Sequence, residues 1–183
     1  MNWCILIANM GLCGLFYWNT STVLFEKVMS TRREARERAM QALYAFSVGM
    51  DSAEHVLETI IDEQLEDREG RAFAKRLFLR VLDMQPEAER LVSDYTQNWE
   101  LSRIALIDRL VLRMAIAELV HFPDIPPKVT INEAIEVVKK YSTERSGQFV
   151  NGVLDAILAD LKKSGSLNKK GRGLIDTDAK AEK

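Results

Sequence analysis

The chain reads as all-α, seven helices folded as two small helical bundles packed together. Three observations predict this. Apolar residues recur at intervals of three and four through every segment from Met29 to Lys163. Breaks fall at glycines, prolines and Asp-Ser pairs, which leaves connections short enough for bundle packing. No segment shows sustained apolar–polar alternation between turn dipeptides, so strands are not expected.

Thr31-Arg32-Arg33-Glu34 has the pattern of a capping box and predicts the start of a first helix, with Thr31 and Glu34 satisfying first-turn amides. Ala35, Ala39, Ala42, Leu43 and Phe46 then share one stripe, and Gly49 with Asp51-Ser52 ends that helix and begins the next. Val56, Leu57, Ile60, Ile61 and Leu65 form the second apolar face. After Gly70, residues Phe73, Leu77, Phe78, Val81 and Leu82 form the third. Pro86 suits the first turn of a fourth helix, with Leu91, Val92, Tyr95 and Trp99 facing inward.

The fifth helix spans Ser102 to His121 and carries Ile104, Ile107, Leu110, Val111, Met114 and Ala115. Phe122-Pro123-Asp124-Ile125-Pro126-Pro127 must break it, because proline removes an amide donor and restrains the residue before it. Two helices follow, Thr130–Tyr141 and Gln148–Lys163, joined by Ser142–Gly147. From Ser164 to Lys183 the Gly, Lys and Asp content predicts a disordered tail.

Residues 1–28 differ from the rest. Trp3 to Trp18 is an uncharged run of sixteen mostly apolar residues, short of the ~20 that span a bilayer. The first positive side chain is Lys27, so a secretory signal with a basic start does not fit. Two readings stand: a degenerate membrane or export segment, or translation that starts at Met29. The second is preferred, because a helix start follows directly. Residues 1–28 are then expected to pack poorly on the remainder.

Length and composition bound the function. With 183 residues, 47% hydrophobic and 28% charged, the chain can bury a real core and is not of disordered type. A net charge of -2 excludes a globally basic coat but not a local patch. Charge is uneven. Asp51 to Glu69 holds eight acidic residues and a single Arg, whereas Lys162 to Arg172 holds five basic residues and no acid. A solvated helix face and a soluble tail are the simplest readings of the two. Cys4 and Cys13 are the only cysteines and His55 and His121 the only histidines, so no metal, disulfide or acid–base framework is expected, and a reducing cytoplasm fits best.

An enzyme is not expected. No Gly-rich phosphate loop, Cys–His pair or metal-ligand spacing occurs, and no cofactor is implied. His55 and His121 lie near helix ends, where capping or exposure explains them. Glu118 sits in an otherwise apolar helix and needs a partner. Arg113 or Lys128 could supply it in a structural ion pair.

Binding has firmer footing. Arg32, Arg33, Arg36 and Arg38 crowd the first two turns of helix one; Arg32 and Arg36 lie four apart, and Arg33 aligns with Gln41 and Tyr44. Guanidiniums fork onto phosphates or stack on bases, and an aromatic beside them offers a stacking surface for single-stranded RNA. Glu34 and Glu37 interleave, so a solvated helix end would give the same spacing.

Four separated segments, RREARERAMQALYAF, WELSRIALIDRLVLRMAIAEL, IPPKVTINEAIEVVKKY and FVNGVLDAIL, occur in an order that resembles the NusB family of transcription antitermination factors over Arg32 to Ile157. The resemblance implies a NusB-like fold of two helical bundles. It also implies antitermination of ribosomal RNA transcription, with boxA RNA and the ribosomal protein NusE bound together and the RNA polymerase elongation complex as the wider partner.

Carried over by position, it implies RNA contacts at Arg32, Arg33, Arg36, Gln41, Tyr44, Gln148, Phe149 and Asn151, and a NusE contact at Asp108 and Arg109. Asn132 and Glu133 are then read as capping and orienting the sixth helix, and Asp155 as half of an ion pair. The sequence departs from the family pattern at Glu34, where some relatives carry a third Arg, and at Arg145, in a loop that is often acidic. Two other readings stay open: an RNA-independent helical scaffold, with a homodimer through one helix face, and a stand-alone relative of the domain fused to ribosomal RNA cytosine methyltransferases.

Overall fold

The computed structural model describes residues 20–49, 52–96 and 103–174, with side chains from Thr31 onward. Within them seven α-helices run in order: α1 (Thr20–Ser47), α2 (Ala53–Val56), α3 (Arg68–Asp83), α4 (Gln85–Tyr95), α5 (Leu106–His121), α6 (Pro127–Tyr141) and α7 (Ser146–Lys163). Helix α2 continues into a π-helical turn, Leu57–Asp62, closed by Glu63 N–H to Glu58 O. A 3-10 turn, Gly171–Leu174, ends the described chain.

Helices α1, α2 and α3 pack as one lobe, and α4, α5, α6 and α7 as the other. Helix α5 joins them by touching both α1 and α3, and every side chain from Leu110 to Leu119 is buried. That explains its uniformly apolar sequence: a helix surrounded on all sides has no face left for water. Phe46 meets Phe78 edge to face at 6.0 Å, and Phe73 meets Phe122 at 5.3 Å, a favoured arrangement for ring quadrupoles.

Boundaries differ from the sequence expectation where local chemistry competes. Helix α1 does not start at Thr31; it runs unbroken from Thr20, so the Thr31–Glu34 capping box is not formed. The expectations for residues 1–19 lie outside the described residues. Gly49 does end α1, at φ +70°, the left-handed position that glycine occupies without a Cβ clash. Helix α5 begins at Leu106, and Trp99 lies outside the described residues. Tyr95 is 38% exposed and does not face inward as expected. Helix α6 starts three residues early because Pro127 occupies its first turn, where a missing amide is harmless. Helix α7 starts at Ser146, two residues before the expected start.

The expected disorder after Ser164 does not hold for residues 164–174. The chain turns back at Gly165, with Ser166 and Leu167 N–H groups both donating to Leu161 O. It then lies across the α5–α6 corner, where Lys170 N–H donates to Pro123 O (2.9 Å) and Lys169 Nζ to Phe122 O (3.0 Å). At Gly173 a Cβ would stand 2.0 Å from Pro123 O, so only hydrogen fits.

Lys169 is 7% exposed, and burial pushes its ammonium down to about 8 from the usual 10.5, against the pull of Glu118 and Asp124. A lysine whose folded pKa lies below its unfolded one binds fewer protons when folded, so stability rises with pH between those two values. The unfolding free energy of the native chain is expected to climb from pH 8 toward pH 10.5 relative to Lys169→Met, which lacks this titration. Parallel urea melts across that range check it, and parallel curves would contradict it.

Candidate nucleic-acid interface

The arginines of α1 divide by the face each occupies. Arg36 is 3% exposed and forks onto Glu118 of α5, Nε to Oε2 at 2.8 Å and Nη2 to Oε1 at 2.9 Å. Thr130 Oγ1 of α6 donates to the same carboxylate at 2.7 Å. Burial works against the charged form of Arg36, but the charge and hydrogen bonds of Glu118 outweigh it, and the guanidinium pKa is raised. Two sequence expectations are corrected here. Arg36 is turned away from solvent and clamps three helices together. The partner of Glu118 is Arg36, not Arg113, which pairs with Glu89.

Arg33 lies on the neighbouring flank, 49% exposed, and forks onto Glu133 of α6 at 3.0 and 2.7 Å. Hydrogen bonding and charge from Glu133 raise its pKa. Glu133 is buried and bridges helices, so it is not the expected cap; Asn132 is exposed.

Down the same flank, Tyr141 Oη donates to Glu37 Oε2 (2.9 Å) and accepts from Gln41 Nε2 (3.2 Å), while Lys140 Nζ donates to Glu37 at 2.6 Å. Tyr44 ends this stripe with 41% of its surface exposed. Arg33, Glu37, Gln41 and Tyr44 are thus a continuous row spaced by three and four, its first three members held by Glu133, Lys140 and Tyr141 of α6. Sequence reasoning missed Glu37, Lys140 and Tyr141. The signal for them, a Lys-Tyr pair ending an amphipathic helix, carries no hint of which helix it will meet.

Helix α6 also supports the start of α7, since a Cβ at Gly147 would rest on Ile135 and Lys139. Gln148 is exposed, Phe149 half-buried against the core and Asn151 half-buried. Asn151 Nδ2 donates to Asp155 at 3.1 Å, so Asp155 accepts from an amide and not from the cation expected. The α1 row and the α7 start share α6 as their common neighbour.

Asp108 and Arg109, expected at a protein contact, lie differently. Asp108 is 6% exposed and accepts from Ser146 Oγ at 2.8 Å, tying α5 to the first turn of α7. Its depth removes it from any direct surface contact. Arg109 is half-buried, and its Nε makes no hydrogen bond within the described residues.

His55 donates its backbone N–H to Ser52 Oγ at the start of α2, and His121 lies largely exposed at the end of α5, its pKa lowered by partial desolvation of the ring and by Arg80. No group of three metal-binding side chains occurs among the described residues. None of the described helices is long and apolar enough to cross a membrane.

Fold and site together define a class: a two-lobed helical binding protein. Its buried charges lock helices to one another, and the helices that carry the candidate side chains, α1 and α7, both neighbour α6. The chain belongs to the NusB family, which it matches over residues 33–159. It is 50% identical over 156 residues to "Transcription antitermination protein NusB" of Salinibacter ruber, covering 85% of this chain and 98% of that one. It is 43% identical over 154 residues to the protein of the same description in Chloroherpeton thalassium, with 84% and 73% covered.

Among solved structures, NusB of T. maritima superposes with a TM-score of 0.65 at 39% identity over 70% of this chain and 91% of that one. A complex of the antitermination factors NusB and NusE with double-stranded RNA gives a TM-score of 0.65 at 26% identity, over 72% and 98%.

Proposed function

We propose that this protein is a transcription antitermination factor of the cytoplasm that binds boxA-type single-stranded RNA of ribosomal transcripts together with NusE. The near full-length relation to the Salinibacter ruber antitermination protein carries this reading. The protein is a binding factor and not an enzyme. RNA lies along the row Arg33, Gln41 and Tyr44 and reaches Gln148, Phe149 and Asn151 across the end of α6, with Arg32 at one edge. The guanidinium of Arg33 meets phosphate and the ring of Tyr44 stacks on a base. NusE meets the start of α5 through Arg109, at a turn that buried Asp108 ties to α7 through Ser146. The elongating polymerase is the wider partner.

Fluorescence anisotropy with a short boxA-type RNA, with and without NusE, tests this. Binding is expected to tighten with NusE and to weaken with salt at a log–log slope of about -0.7 per phosphate neutralised. A protein that bound NusE or itself, but no RNA under any of these conditions, would be an RNA-independent scaffold. Light scattering alongside distinguishes monomer from homodimer.

A further inference from the structure

The basic segment Lys162 to Arg172 has no role in the interface above, yet its second half is built into the fold. It lies beyond the family match, which ends at residue 159. The strap formed by residues 166–174 meets the α5–α6 corner, and cations from other helices reach Phe122 and Asp124 of the same corner. Arg76 of α3 covers the Phe122 ring at 4.2 Å. Arg32 of α1 lies 5.6 Å from the Phe73 ring and reaches Asp124 at 3.4 Å. Lys170 is fastened through its backbone N–H to Pro123 O, which leaves its side chain exposed, and Arg172 is exposed on the 3-10 turn two residues on.

The local acids are fewer. Glu118 is buried and already forked by Arg36, so among the described residues Asp124 is the exposed carboxylate that meets this corner. Arg32, Arg76, Lys170 and Arg172 therefore form a ridge of positive charge about Phe122–Asp124. Arg32 adjoins Arg33 on the same turn of α1, which makes the ridge continuous with the candidate interface.

We infer that this strap and corner form a second, sequence-independent contact for RNA, holding the phosphates of nucleotides that flank the specifically bound segment. The kind of contact follows from what is exposed. Phe73 and Phe122 are buried, and arginines cover their faces, so neither ring is open for a base to stack on. What faces solvent is ammonium and guanidinium, which pair with phosphate and carry no base code. Such a contact lengthens the RNA footprint and steepens its salt dependence without changing the sequence that is read.

The inference rests on the proposed RNA binding, and its test separates the two. Anisotropy is measured with a boxA-type RNA of about 12 nucleotides and with the same RNA extended by about 8 uridines at either end, lengths within reach of one small binding face. The native chain is expected to bind one extended RNA several-fold more tightly than the short one, and equally well when the uridines are replaced by adenines. Lys170→Glu with Arg172→Glu is expected to abolish that gain and leave the short RNA unaffected. It is also expected to reduce the salt slope on the extended RNA by roughly 0.7 for each phosphate that is no longer neutralised.

Lys170→Gln with Arg172→Gln, which keeps the backbone anchor and adds no repulsion, should lose part of the gain at an unchanged melting temperature. If both RNAs bind the native chain equally, or the variants weaken both alike, the second contact is overturned while the RNA function stands. If neither RNA binds, both fall together.

Discussion

Arg36→Ala is expected to cost about 3–5 kcal/mol of folding stability, because it removes one member of a buried pair and leaves the other charged and unpaired. Glu118 is 1% exposed, and Thr130 Oγ1 would be its one remaining hydrogen-bond donor among the described residues. For a chain of ordinary marginal stability that is a large fraction of the total. The companion variant Arg36→Met with Glu118→Leu should recover most of the loss, since it removes the desolvated charges and fills their volume with apolar atoms. Urea denaturation of the two variants checks both expectations. A small loss of stability with a specific loss of RNA affinity would instead restore Arg36 to the RNA surface.

Tyr44→Ala is expected to weaken boxA-type RNA by about 1–3 kcal/mol, the usual worth of one base–aromatic stack. In Kd that is about 5- to 150-fold. Stability should hardly change, because the ring is already 41% exposed. Tyr44→Phe should retain most of the affinity if the ring face is what matters. Arg33→Ala makes a poorer probe: it strands Glu133, which is 4% exposed, with only Arg36 Nη1 at 3.9 Å. Its RNA and folding effects would arrive together. Unchanged affinity in Tyr44→Ala, with melting temperature intact, would remove this residue from the interface.

The sequence made the helices legible because their signals are local. Spacing at three and four, glycine at helix ends and the proline-rich corner after His121 all act within a few residues of themselves. Errors cluster where a longer-range partner or a neighbouring turn decides. The capping box at Thr31–Glu34 was a valid local alternative, but α1 continues through it. Pro127 moved the start of α6 forward because proline is as good at a first helical turn as it is bad inside one.

The candidate site was legible in part. Arg33, Gln41 and Tyr44 share a stripe by spacing alone, and the structure keeps that stripe and supplies its support in Glu133 and Tyr141. Arg36 shows the opposite. About 60° of helix circumference separates Arg33, which meets solvent, from Arg36, which meets the core, and a run of arginines carries no mark of which is which. Asp108 is a similar case, an acidic side chain near a helix start whose neighbour proves to be Ser146.

By itself, the sequence determined the all-helical class, the stretches of chain that become helices and the family. Those depend on the periodicity and order of residues, which are written in one dimension. Only the tertiary structure decided which ionisable groups hold the protein together and which remain at the surface. That choice depends on which helices face one another: Arg36 is opposite Glu118 across 82 residues, and Arg33 opposite Glu133 across 100. It also decided the fate of the basic segment after α7. Read alone, that segment is a solvated tail. Against the carbonyl oxygens of Phe122 and Pro123, it has acceptors for Lys169 and Lys170 and becomes part of the fold.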